Sequence, residues 1–196
     1  MLPELLGAFR RTFGGHELSF MLQRSTALVA AVRRGDLDLA VILAMTPDAP
    51  GTRVGAMRLR WLADQRAADE APGHYPATGS GALPLVALEE PCAIRSRALD
   101  FLGTAGIVVS VVAQSATLDG VLAAVRARRG LALLPVQVGV PAGLRELSGL
   151  PPAGHIGVHL VSRDGLADTI MHASVSMLGS FLASPAPGPN RSRFPA

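Results

Sequence analysis

The stretch STALVAAVRRGDLDLAVI, residues 25–42, reads as helix, stop and strand in one pass and decides the fold class. Ser25 and Thr26 offer hydroxyls suited to capping a helix start. Leu28, Val29 and Val32 recur at helical spacing behind them. Arg33 and Arg34 ahead of Gly35 mark the other end, because cations suit the negative pole of a helix and glycine tolerates the left-handed turn that closes it. Past Asp36, Leu37–Leu43 is nearly continuous apolar sequence, the pattern of a strand covered on both faces in a parallel sheet. Upstream, Glu17–Gln23 alternates through Leu18, Phe20 and Leu22 and predicts another strand, so that residues 17–43 predict a βαβ unit.

Working outward, residues 115–136, SATLDGVLAAVRARRGLALLPV, echo the same construction: a hydroxyl-capped helix, an Ala-Ala-Val-Arg core, an Arg-Gly end and an apolar strand. Two lobes of like build are implied. Ahead of the first block, Leu2, Leu5, Leu6, Phe9 and Phe13 lie at helical spacing with Pro3 in the first turn. Between the blocks the pattern predicts strand Arg58–Ala63, a loop or linker from Gln65 to Ala82, strand Leu83–Leu88, helix Ser96–Gly103 and strand Ile107–Ala113. The GTAG of residues 103–106 is a helix stop. A Pro- and Gly-rich passage from Pro135 to Gly154 follows the second block, then strand Ile156–Ser162 and helix Asp168–Ala183, which carries Met171, Val175, Leu178 and Leu182 on one face. Alternating helices and strands make an α/β fold.

Composition narrows the function classes. Hydrophobic residues at 49% against 17% charged exclude disorder as the state of the whole chain. No apolar run reaches the roughly 18 residues of a membrane-spanning helix, and no basic segment and apolar stretch open the chain, so a cytoplasmic location is expected. Cys92 is the single cysteine, which excludes an internal disulfide. The net charge is +3, and all 18 basic residues are arginines scattered along the chain, with aromatics at only 4%. A nucleic-acid surface clusters its basic residues and interleaves aromatics, so no direct nucleic-acid contact is expected.

Residues 2–42, LPELLGAFRRTFGGHELSFMLQRSTALVAAVRRGDLDLAVI, resemble the opening of the effector (substrate)-binding domain of LysR-type transcriptional regulators, including the Gly-x-Leu-Asp strand entry at Gly35, Asp36, Leu37 and Asp38. Residues 83–107, LPLVALEEPCAIRSRALDFLGTAGI, resemble the branch of that family with a Pro-Cys-x-x-Arg segment, here Pro91, Cys92 and Arg95. The likeness runs over residues 2–183. It implies two Rossmann-like lobes with a hinge, a type 2 periplasmic-binding-protein-like fold, with residues 1–64 and 161–183 in lobe I, 65–160 in lobe II and 184–196 as a disordered tail. Family members carry a helix-turn-helix and a first strand ahead of the matching region, so this chain is expected to lack the DNA-binding domain.

The resemblance further implies a ligand-sensing module and not an enzyme, with a small effector in the interlobe cleft, where helix starts and exposed N–H groups favour an anion such as a carboxylate. Carried over position by position, the ligand-binding residues are Arg24, Ser25, Thr26, Met45 and Thr46 from lobe I and Arg95, Ser115, Thr117 and Pro135 from lobe II. Each has a plainer reading beside it. Ser25, Thr26, Ser115 and Thr117 cap helices, touch ligand or do both, and Arg24 and Arg95 are ligand contacts or are solvated or paired to a local carboxylate. The expected partners are the effector and a second subunit, as a homodimer or in association with LysR-type subunits, with no membrane. A stand-alone protein that pairs with full-length LysR-type subunits and, behind it, a small α/β enzyme are the other readings.

No catalytic residue, cofactor or metal is expected. Activating Cys92 as a nucleophile needs a base or a strongly positive setting, and His16, His74, His155, His159 and His172 are dispersed, none at metal-ligand spacing with Cys92 or with another histidine. Asp36 and Asp38 sit at a helix-to-strand turn, where acidic residues face solvent, and no phosphate-loop or Gly-x-Gly-x-x-Gly pattern occurs.

Overall fold

The structure, a computed structural model, describes residues 2–15, 17–70, 81–137 and 139–183. In chain order the elements are α1 (Leu2–Thr12), α2 (Ser25–Arg34), β1 (Leu39–Ala44), β2 (Thr52–Asp64), α3 (Gln65–Glu70), β3 (Leu83–Leu88), α4 (Ala93–Thr104), β4 (Val109–Ser115), α5 (Leu118–Arg126), β5 (Ala132–Val136), β6 (Leu144–Glu146), β7 (His155–Ser162) and α6 (Asp168–Ala183). They form two compact units. Unit 1 takes the chain up to Ala56, Gln137 and Gly139, and the chain from Gly157, while unit 2 takes Met57–Val136 and Val140–Ile156. Two of the passages between them fall inside strands, within β2 and within β7, where the sequence reading divides the lobes at residues 64/65 and 160/161.

In unit 1, β1 pairs antiparallel with β7 from Leu39 opposite Ser162 to Ala44 opposite Gly157. Helix α2 lays Leu28, Val29 and Val32 over Ala40, Ile42 and Val161, and α1 packs on α6. Gly35 closes α2 at φ 79°, and the backbone N–H groups of Gly35 and Asp36 satisfy the carbonyls of Val32 and Ala31. Glycine carries no Cβ penalty there, which is why the Arg-Arg-Gly signal was legible.

In unit 2, β3 and β4 are parallel neighbours, Leu83 opposite Val109 through Leu88 opposite Ser115, with α4 as the crossover. An isolated parallel bridge between Leu85 and Leu131 sets the direction of β5 alongside β3. The other side of β5 pairs antiparallel with the second half of β2, Arg58 opposite Val136 through Leu62 opposite Ala132. A core of Leu62, Val86, Val121, Val125, Ala132 and Leu134 lies under α5. Trp61 donates its indole N–H to the Pro151 carbonyl at 2.7 Å, and Arg60 pairs with Glu146 at 2.5 Å, tying the irregular passage after β5 to the sheet.

Four expectations are corrected. Residues 17–23 form no strand and pair with none among the described residues; Phe20 sets its ring edge-on to Phe9 instead, at 6.0 Å. The first predicted βαβ unit therefore does not form, and β1 lies in an antiparallel pair, because only Ala40 and Ile42 of its apolar run are fully buried and Leu39, Val41 and Leu43 are half-buried. Ser25 and Thr26 do not cap α2: Arg24 occupies the cap with no side-chain hydrogen bond. Gln65–Glu70, expected in a loop, is a short helix with Ala67 and Ala68 buried; residues 71–80 of that expected linker, like the tail 184–196, lie outside the described residues. The Pro- and Gly-rich passage also contains β6, which pairs antiparallel with β2.

Candidate functional site

The residues singled out in unit 1 gather at one end of β1. Leu43, one residue from the strand's end, donates its backbone N–H to Ser25 Oγ at 3.2 Å, which fixes the first residue of α2 against the segment leading into Met45 and Thr46. Ser25 and Met45 are half-buried, and Arg24, Thr26 and Thr46 are exposed. No acidic side chain lies in the first turn of α2, so the positive pole of that helix keeps its attraction for an anion from outside.

The unit 2 residues gather where β3 and β4 end and α4 and α5 begin. Parallel neighbours place Leu88 beside Ser115, and the Glu89 N–H bonds the Ser115 carbonyl at 3.0 Å. Ser115 Oγ accepts the Thr117 N–H at 3.2 Å, and Thr117 Oγ1 accepts the Gly120 N–H at 3.2 Å as the cap of α5. Both hydroxyls thus accept from backbone donors, and the two oxygens lie 3.5 Å apart, within reach of one hydrogen bond between them. Pro135, on β5 opposite Leu59, is half-buried near the end of the strand that runs with β3.

Arg95, in the first turn of α4, is the most constrained of the set. Its side chain is 15% exposed; one terminal nitrogen donates to Gln114 Oε1 at 2.8 Å and the other meets Glu90 Oε1 at 3.2 Å. Its Nε is buried without a partner. Of the two readings open for Arg95, the pairing to a local carboxylate is the one the structure shows, and Glu90 is 71% exposed in that pair. Gln114 and Glu90 were not singled out in the sequence; Gln114 reaches Arg95 across the β3–α4–β4 crossover, which spacing alone does not reveal, whereas Glu90 lies in the turn just ahead of α4.

Cys92 sits at the cap position of α4, half-buried, and lines a crevice with Leu85, Leu88, Ile94, Ala98 and Val121. The crevice encloses about 10 Å³, at most one water molecule. Asp36 and Asp38 are each exposed beside an arginine, Arg34 at 2.8 Å and Arg163 at 2.6 Å. Among the described residues no group of three or more His, Cys, Asp or Glu side chains is placed to hold a metal ion, and no helix is long and apolar enough to cross a membrane.

Comparison with known proteins agrees with this layout. The family model for the LysR substrate binding domain matches residues 1–178. The transcriptional regulator PecT of Dickeya dadantii is 28% identical over 153 residues, 77% of this chain and 46% of PecT. A probable hydrogen peroxide-inducible genes activator of Mycobacterium avium is 26% identical over 199 residues, 94% of this chain and 62% of that protein. The chain thus spans about half the length of one of these curated relatives and less than two thirds of the other. Among solved structures, the regulatory domain of Synechocystis CcmR, in complex with 2-PG, aligns with a TM-score of 0.65 at 16% identity, covering 94% of this chain and 93% of that one. That likeness shows the fold, the two-lobed periplasmic-binding-protein-like α/β fold of regulatory domains, and the relatives are regulators of transcription and not enzymes. With the family model matching most of its length, the chain belongs to the LysR substrate binding domain family and is an effector-binding regulatory domain.

Proposed function

We propose that this chain senses a small anionic effector, a carboxylate, through Arg24, Ser25, Thr26, Met45 and Thr46 of unit 1 and Arg95, Ser115, Thr117 and Pro135 of unit 2. The observation that carries the reading is Arg95: a guanidinium 15% exposed, at a helix start with no acidic residue in its first turn, with a buried Nε unpartnered and an exposed carboxylate, Glu90, on its outer nitrogen. Guanidinium forks take carboxylates in two-pronged pairs worth roughly twice a neutral hydrogen bond. An effector carboxylate replaces Glu90 on Arg95 while Ser115 and Thr117 turn their hydroxyl protons toward it. In the whole regulator, in the cytoplasm, binding shifts a conformational equilibrium that other parts of the protein read.

A thermal-shift screen of aliphatic and aromatic carboxylates against their neutral amides tests this. Ligand at about 100 times its Kd stabilises the domain by about 2.7 kcal/mol, so at least one acid raises the melting midpoint and its amide does not. A folded domain that responds to no acid, or to acids and amides alike, contradicts the reading.

A further inference from the structure

His159, on β7, is 2% exposed, and its Nδ1 is buried with no hydrogen-bond partner. Among the described residues no hydrogen bond reaches its Nε2 either. An imidazole carries both donor and acceptor capacity, and enclosing it unpaired costs free energy that an apolar side chain of similar size would not. Buried polar groups are as a rule paired, so this ring is the exception in unit 1 that calls for a partner.

Strand register places the ring. Residues directly opposite in an antiparallel pair turn their side chains to the same face, and His159 stands opposite Ile42, between Val161 opposite Ala40 and Gly157 opposite Ala44. Helix α2 covers Ala40, Ile42 and Val161, so His159 lies on the α2 face of the sheet. The chain turns back through Gly35 between α2 and β1, which sets the start of α2 over the far end of β1, and the Leu43 N–H holds it there through Ser25 Oγ. The ring leans toward that end: a Cβ on Gly157 would lie 3.0 Å from Nε2 and 3.3 Å from Cδ2. Gly157 has no side chain to cover that edge.

The start of α2 is itself short of partners. Its first intrahelical bond runs from the Leu28 N–H to the Arg24 carbonyl at 3.0 Å, which leaves the N–H groups of Ser25, Thr26 and Ala27 ahead of the ladder. Arg24 makes no side-chain cap bond, and no acidic residue lies in the first turn. We infer that His159 is a further effector contact, donating its Nε2–H to the carboxylate seated at the start of α2; the inference rests on the carboxylate-sensing reading above. The acid supplies the acceptor that the ring lacks in its own chain, and a hydrogen bond to a charged group is stronger than one to a neutral group.

Acetate and benzoate, the plainest aliphatic and aromatic carboxylates, titrated into the full 196-residue chain with labelled histidine nitrogens, test the inference by NMR and calorimetry. The His159 Nε2 resonance moves as the better-binding acid saturates the protein, while those of the exposed His155 and His172 stay in place. His159→Leu removes an unpaired group from the interior and so melts no lower than the wild type, yet binds the acid about ten- to a hundredfold more weakly. His159→Gln, whose amide nitrogen can stand near the place of Nε2, binds within about threefold of the wild type. An Nε2 resonance that does not respond to bound acid, or a His159→Leu protein that binds as the wild type does, overturns the inference; Arg95→Gln weakens binding even then, and the parent reading stands. Failure of both acids to bind the wild type overturns the two together.

Discussion

Thr117 and Thr26 look alike in the sequence, each in a polar pair ahead of an apolar helix, yet only Thr117 accepts a backbone N–H, from Gly120 at 3.2 Å. Thr117→Ala therefore lowers stability by about 1 kcal/mol, while Thr26→Ala stays within about 0.5 kcal/mol; urea unfolding of the two variants separates them. Local pattern marks where a helix begins to within a residue or two. It does not say which hydroxyl finds the helix and which is drawn elsewhere, and Ser25 is drawn to the Leu43 N–H eighteen positions away. Arg95 makes the same point for the site: the residue was legible, and so was a local carboxylate, Glu90 in the turn ahead of α4, but not Gln114, which reaches it from β4. Gly51 was invisible altogether. At φ 86° and with a Cβ that would lie 2.2 Å from the Leu160 carbonyl oxygen, Gly51→Ala costs more than about 1 kcal/mol, measurable in the same unfolding experiment.

Elements with their own internal period were read closely: β3 (Leu83–Leu88) and α6 (Asp168–Ala183) have the predicted bounds. Elements defined by their partners were not. Strand β2 runs from Thr52 to Asp64, but its first half, Thr52-Arg53-Val54-Gly55-Ala56, lacks the apolar alternation that betrays its second. Strand β6 is three residues long and exists through its pairing with β2 at Leu62, Ala63 and Asp64. The reverse error arose at residues 17–23, where a strand period is present and a partner is not. The continuous apolar run of β1 likewise suggested cover on both faces, although α2 covers one, over Ala40 and Ile42. Because Ile42 is 3% exposed beneath Val32 and Leu28, Ile42→Ala costs roughly 2–5 kcal/mol by emptying that contact, and denaturant titration of the variant gives the value.

At the scale of the whole molecule, the repeated helix–stop–strand block was the sequence feature that mattered most, and it holds twice: α2 leads through Gly35 into β1 in one unit, and α5 leads through Gly130 into β5 in the other. Each block places a helix start and two hydroxyl-bearing residues near a strand end. The proposed anionic effector rests on what those starts offer: the Ser25, Ser115 and Thr117 hydroxyls, held by backbone donors, and one constrained guanidinium. The most direct measurement is calorimetric titration of the best-binding carboxylate into the wild type and into Arg95→Gln, with circular dichroism to show that the variant is folded. Loss of a charge-assisted pair worth roughly 1.5–3 kcal/mol weakens binding by about ten- to a hundredfold, and that is the predicted result. Equal affinity in the two proteins would contradict the account.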